Sequence, residues 1–325
     1  MSSMNQHPYF KEIEALSDQI SDRREFHKAC EPVFEKMRDD SSFFEAVVEQ
    51  NLKDENFLNQ KWSLYNIPYL YIGETSDFIL KYHIFAPLKS GEKGVGAGCI
   101  HHHTNYILSS TAAYGPGYES FLFERYPKVE EENLNVDLKV TKHFTQQEWP
   151  ISRVDSWEPH LVCNPESLSA TLVMWTTDKK RSTDKLRHNP ILKSMKKPLL
   201  SVIRGLNLQK RLGVSEKKTY QYYPSESAFM AIDEDEYFEP TRKAMGPEVD
   251  DYSVKTIVGL IQRMGYDNIG FIRGIIQKDS TPNTYRKYLQ MLIDQETIGE
   301  TYAKEEINIP QKRFTKEDVL SLVGE

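Results

Sequence analysis

Two stretches of the chain decide the fold: GCIHHHTNYIL at residues 98–108 and PHLVCNPESLSATLVMW at residues 159–175. Both lie in a central region, from Trp62 to about Trp175, that is built of short runs rich in β-branched and aromatic residues. Clusters of Gly, Pro and Ser separate these runs, and apolar and polar residues alternate within them. Strands at this spacing, with no helices between them, are typical of an antiparallel sandwich or barrel.

Helical patterns flank this region on both sides. Phe10, Ile13, Leu16 and Ile20 fall on one helical stripe, and Ser42 with Glu45 forms a capping box ahead of a second apolar run. After residue 178 the spacing of apolar residues returns to that of helices, with a short last one predicted from Thr315. We therefore expect an α+β fold with an N-terminal helical segment (1–60), an antiparallel β-barrel (61–178) and a mainly helical C-terminal region (179–325). Within that region, residues 220–238 are a candidate lid over the barrel.

The three consecutive histidines are the first candidates for metal ligands. Side chains alternate between the faces of a strand, so His101 and His103 point the same way, roughly 7 Å apart, while His102 points away. Two imidazoles on one face can share a first-row metal ion, and another strand would have to supply a third ligand. From the residues alone, the candidates are His83, His143 and His160.

The pair of stretches resembles the two metal motifs of the cupin superfamily, His-x-His on one strand and His-x-x-x-Asn on a later one. It looks most like the thiol dioxygenases, the family of the cysteine dioxygenase type, and the resemblance covers residues 64–177. It implies a jelly-roll barrel in which His101, His103 and His160 bind Fe(II) and leave open positions for O2 and substrate. On ligand type alone, another divalent metal is compatible with the same site.

The chain departs from that family at the positions that select the substrate. Leu108 and Trp175 stand where some members carry a cross-linked cysteine and tyrosine, and Val173 replaces the histidine of a proton relay. No Arg lies near Tyr71 to hold a substrate carboxylate, and Ile107 and Leu108 occupy the place of the superfamily's usual Glu. We therefore expect three histidines without a carboxylate ligand, and a substrate other than cysteine.

Five residues are candidates for the wall of the substrate pocket. Tyr82, Tyr106 and Trp175 are aromatic residues of the predicted barrel, and Cys99 shares the parity of His101 and His103. Arg153 carries a fork of donors suited to an anionic group. Core packing or a salt bridge is an alternative role for each of them.

Composition limits the partners. The 325 residues carry a net charge of −7, which argues against nucleic acid, and no run of about 18 apolar residues or signal-peptide pattern points to a membrane or to export. Three scattered cysteines form no disulfide framework, so we expect a cytoplasmic protein. A small-molecule substrate is the expected partner, with a homodimer as the expected form of self-association.

The sequence thus predicts a non-haem Fe(II)-dependent oxygenase that adds O2-derived oxygen to a small chelating or anionic metabolite. One alternative is a metal-dependent cupin isomerase, lyase or hydrolase that needs no O2. A second alternative is a non-catalytic cupin that binds a ligand. The fold alone does not separate these readings, since the barrel supports many activities.

Overall fold

The computed structural model describes residues 4–62, 67–89, 100–125, 138–180, 219–223, 228–232 and 247–303. Two features expected from the sequence, the parity of Cys99 and the helix beginning at Thr315, lie outside these ranges.

Helices form the N-terminal segment. A short 3-10 helix (Met4–Gln6) precedes α1 (Pro8–Gln19), α2 (Arg23–Ala29), α3 (Glu31–Asp39), α4 (Ser41–Lys53) and α5 (Glu55–Leu58). The capping box expected at Ser42 is wrong, because Asp40 caps α4 instead and accepts hydrogen bonds from the amides of Ser42 and Phe43. The Ser42 hydroxyl donates to the same carboxylate, 2.6 Å away, so an acidic side chain two residues earlier takes the role assigned to the serine.

The strands are β1 (Tyr69–Glu74), β2 (Phe78–Phe85), β3 (His101–His102), β4 (Tyr106–Tyr114), β5 (Glu119–Phe123), β6 (Val140–Thr145), β7 (Ile151–Val154), β8 (His160–Cys163), β9 (Ser169–Thr177), β10 (Thr219–Tyr223) and β11 (Ala228–Ile232). They form a first sheet of order β1-β2-β9-β4-β7 and a second of order β11-β10-β3-β8-β5-β6. All of these pairs are antiparallel.

The two sheets face each other across an apolar interior. Leu108, Val154 and Val173 of the first sheet pack with Leu122 and Phe144 of the second. A layer of buried polar side chains lies in the same interior, where the Ser110 hydroxyl sits 2.6 Å from the hydroxyl of Tyr118 and 2.8 Å from that of Ser152. The α+β fold class and the jelly-roll barrel expected from the sequence are thereby confirmed.

The other face of the first sheet is covered by helices from both ends of the chain. Three C-terminal helices, α6 (Glu248–Arg263), α7 (Ile269–Ile276) and α8 (Asn283–Ile293), share one apolar core with α1–α4 and with β1 and β2. Residues of this core include Phe26 and Phe43 from the N-terminal helices, Tyr82 from β2, and Ile257 and Leu289 from the C-terminal helices. Within the described ranges, the helices are too short or too polar to span a bilayer.

Part of the C-terminal region extends the second sheet. Tyr220 and Gln221 of β10 pair with His102 and His101 of β3, and the amide of Tyr222 donates to the carbonyl of Ile100 over 2.8 Å. Residues 219–223 and 228–232 are therefore strands within the region expected to be mainly helical. These short runs of aromatic and apolar residues satisfy their backbone hydrogen bonds by strand pairing. Residues 233–238 of the candidate lid lie outside the described ranges.

Candidate metal centre

The fold brings the three predicted ligands together. His101 lies directly opposite His160 in the β3–β8 pair, and their ring centroids are 4.3 Å apart. The ring of His103 lies 4.8 Å from that of His101 and 5.1 Å from that of His160. One ring nitrogen from each histidine lies within 4.8 Å of the other two, and no carboxylate belongs to this group of described residues.

A tight turn ends the ligand strand. Thr104 has a φ of 49°, in the left-handed region that a β-branched residue rarely adopts, and the amide of Tyr106 donates to the carbonyl of His103 over 3.1 Å. The Thr104 carbonyl accepts a 2.6 Å hydrogen bond from the amide of Trp157. The turn is therefore tied to the segment that leads into β8, which carries His160.

The donor set fits a divalent metal ion. Three nitrogens bound to one ion at about 2.1 Å lie about 3.0 to 3.4 Å apart, so the three rings, whose nitrogens lie within 4.8 Å of one another, would have to move closer together to share an ion. Burial lowers the pKa of His160 well below its ordinary value, and neighbouring His101 lowers it further. The ring is therefore neutral, the form that binds metals.

The backbone orients His160. Its Nδ1 lies 3.3 Å from the carbonyl oxygen of Glu158, and donation from Nδ1–H to that oxygen assigns the metal-facing role to Nε2. The Glu158 carboxylate accepts from the amide of Asp155 over 2.8 Å, which closes the turn before the strand. The sequence does not predict the contact between His160 and the Glu158 carbonyl, because every residue has a backbone carbonyl, whatever its type.

His102 lies in a different environment. It is fully buried, and its ring stacks on Tyr220 at 5.1 Å and 4° and meets Phe229 edge-on at 5.1 Å. Its Nδ1 accepts from the amide of Thr104 over 3.2 Å. Burial, assisted by His101, lowers the pKa of His102 to about 3, so this ring is a neutral packing element of the outer face.

Trp175 is the pocket candidate that contacts the ligands. Its ring meets that of His103 at 4.5 Å and 79°, and it packs against the interior cluster that contains Leu108 and Val173. Tyr106 begins β4 half-buried, and its parity places it on the same strand face as Leu108. The positions that depart from the thiol dioxygenase pattern thus form an apolar wall beside the histidines.

Two other pocket candidates are wrong. Tyr82 faces the helices, where its ring lies 5.8 Å from Phe44, and Arg153 forms an ion pair with Glu31 of α3. Strand alternation explains both errors, since each side chain sits one residue out of step with the interior face. Helices cover the face of the first sheet opposite the barrel interior, so a buried side chain on these strands need not line the pocket. Cys99 lies outside the described residues.

The alternative third ligands do not join the group. The Nε2 atom of His143 lies 2.5 Å from a carboxylate oxygen of Glu119, and its ring stacks on Phe121 at 4.3 Å. His83 lies on β2, half-buried between Tyr69 of β1 and Thr171 of β9.

No protein-family model and no curated protein matches this chain. Among solved structures, it is similar to CapF with the inhibitor 3-isopropenyl-tropolone, at 12% identity and a TM-score of 0.23, over 36% of this chain and 30% of that one. It is similar to an uncharacterized conserved protein with a double-stranded beta-helix domain from Klebsiella pneumoniae, at 11% identity and a TM-score of 0.21, over 37% and 91% of the chains. A sugar phosphate isomerase from a cupin superfamily, from Silicibacter pomeroyi, matches at 14% identity and a TM-score of 0.20, over 33% and 57%. Similarities this partial carry no information about the reaction.

Proposed function

We propose that this protein is an Fe(II)-dependent oxygenase that uses O2 to oxidise a small chelating or anionic metabolite. The observation that carries the proposal is the convergence of His101, His103 and His160, with no carboxylate in the group among the residues that the structure describes. Three ligands on one side of an ion leave further positions open for substrate and O2. A bound Fe(II) would supply the Lewis acidity and the redox chemistry that O2 activation requires.

The ligand charges favour an anionic substrate. Three neutral imidazoles do not compensate the charge of a divalent ion, whereas a carboxylate ligand would compensate part of it. A substrate carboxylate, thiolate or enolate therefore gains more electrostatic stabilisation here than in a site with an acidic ligand. The ligand set thus supports an anionic substrate.

The residues around the histidines hold and shield the site. The carbonyl of Glu158 orients His160, and the ring of Trp175 lies against His103. Leu108 and Val173 continue the apolar wall, which excludes water and strengthens electrostatic interactions between substrate and protein. We assign no catalytic acid or base to the residues of this wall. A substrate that is already ionised therefore suits the site best.

Anaerobic reconstitution of the full chain with Fe(II) tests the metal site. We expect one ion per chain in the wild type and its loss in His103→Ala. The matched control is His143→Ala, which removes a histidine that bonds to Glu119 rather than joining the group. Absence of stoichiometric binding, or equal binding in His103→Ala, would overturn the proposal.

O2 uptake tests the reaction class. We expect the Fe(II)-loaded protein to consume O2 with at least one member of a panel of small carboxylates, thiols and hydroxy acids, and His103→Ala to consume none. Turnover of a substrate without O2 consumption would instead select the isomerase, lyase or hydrolase alternative.

A further inference from the structure

The strand that carries His101 and leads directly to His103 is short and depends on its neighbours. β3 comprises only His101 and His102, and it lies between β8 on one side and β10 on the other. The β8 side supplies His160 opposite His101. On the β10 side, Tyr220 pairs with His102, and the amide of Tyr222 donates to Ile100. A strand of two residues forms too few ladder hydrogen bonds to fix its own direction.

His102 holds this strand from its outer face. Its ring is almost parallel to that of Tyr220, 5.1 Å away, and rings of Phe229 and Trp157 close around it at 5.1 and 5.6 Å. Successive side chains of a strand project to opposite faces, so the orientation of the His102 ring fixes the backbone from which His101 and His103 project. These ring contacts therefore lie on the face opposite the side chains of His101 and His103.

We propose that the hairpin formed by β10 and β11 is a positioning element of the metal centre, acting through the stack of Tyr220 on His102. The proposal rests on the assignment of His101, His103 and His160 as metal ligands. Strands β10 and β11 thus belong to the functional centre, although the Tyr220 side chain contacts His102 rather than a ligand. Because coupling between two binding events is reciprocal, metal binding also stabilises the docking of this hairpin.

Titration of the full chain with Co(II), followed by its visible absorption, tests the stack. We expect Tyr220→Leu to raise the Co(II) dissociation constant about tenfold, the lower end of the range for loss of an interaction that orients a ligand, and to change the absorption spectrum. Tyr220→Phe keeps the ring and is expected to restore both the affinity and the spectrum.

The matched control is Tyr222→Leu, on the same strand and the same side of the sheet. Tyr222 is 8% exposed, and its ring packs on Phe229 at 5.4 Å. We expect this variant to unfold at a lower temperature while it retains the wild-type Co(II) affinity. If Tyr220→Leu and Tyr222→Leu weakened Co(II) binding equally, the cause would be general loss of the strand. That result would overturn the role of the stack.

Amide hydrogen exchange on the wild type requires no variant. We expect Co(II) to slow exchange in residues 219–223 and 228–232, while α7 keeps its rate. Unchanged exchange in the hairpin of a Co(II)-loaded protein would refute the coupling and leave the proposed function intact. A wild type that binds no Co(II) would overturn both.

Discussion

His27 makes stability depend on pH in a way that can be calculated. It lies on α2, 1% exposed, with Nδ1 2.6 Å from the hydroxyl of Ser109 and Nε2 2.8 Å from the hydroxyl of Thr176. Burial lowers its pKa to about 3, and the nearby guanidinium groups of Arg153 and Arg23 act in the same direction. The folded protein therefore keeps this ring neutral over the whole physiological range.

The sign and size of the effect follow from the two end states. In the unfolded chain the ring binds a proton below a pKa of about 6.5, whereas the folded chain excludes that proton until about pH 3. The unfolded state binds more protons in this window, so stability is fully present above pH 6.5 and falls as the pH falls. For His27 alone, the free energy of unfolding drops by about 2 kcal/mol between pH 8 and pH 5.

Urea unfolding at pH 8 and pH 5 measures this contribution. His27→Gln keeps a donor and an acceptor for the two hydroxyls, and its loss of stability over this pH range should be about 2 kcal/mol smaller than that of the wild type. The buried His102, with a pKa of about 3, titrates in both proteins and cancels in the comparison.

Phe26→Leu is the control, since Phe26 is buried on the same helix and its ring lies 5.9 Å from that of His27. We expect it to lower stability equally at both pH values. If His27→Gln and the wild type lost the same stability on acidification, the buried neutral state of His27 would be refuted.

Three further changes probe the fold around the site. Truncation after Asp178 removes β10, β11 and α6–α8, and should give a chain without a cooperative unfolding transition by circular dichroism, because the core it shares with the N-terminal helices is lost. Gly117→Ala should lower the free energy of unfolding by about 1–3 kcal/mol, since φ is +72° and the new Cβ would lie 2.4 Å from Oε1 of Gln146. Arg153→Met should leave the metal dissociation constant unchanged in a Co(II) titration and lower stability by at most about 1 kcal/mol, because its partner is Glu31 on the helix side.

The sequence predicted the ligand geometry because that geometry depends on a local rule. Alternation along an extended backbone places the side chains of His101 and His103 on one face, whatever the strand pairs with, and the two rings lie close together although β3 ends at His102. The choice of His160 over His83 and His143 required the motif resemblance, since each of the three lies on a strand. The structure brings His160 opposite His101 through the β3–β8 pairing, a contact that no local pattern contains.

The errors at Tyr82 and Arg153 have a common physical origin. The first sheet is buried on both faces, by the second sheet on one side and by helices on the other. Apolar side chains on such a strand occupy both parities, so the pattern does not say which face is the barrel interior. The assignment requires the position of α1–α4, which is a tertiary contact.

The hairpin of β10 and β11 was missed for a different reason. Its two strands have five residues each, and the partner of β10 lies more than a hundred residues earlier in the chain. A short apolar run of this length fits a buried strand or a helix segment equally well. Only the pairing of Tyr220 with His102 decides between them.

The pairing of β3 with β10 sets an order of events during synthesis. About 130 residues of chain separate His103 from the end of β11. At about 5–20 residues per second, a ribosome needs about 6 to 26 s to make them. Over that interval the nascent chain carries its histidines without the strand that frames them. On the proposed function, the metal would therefore be captured late, by a nearly complete polypeptide.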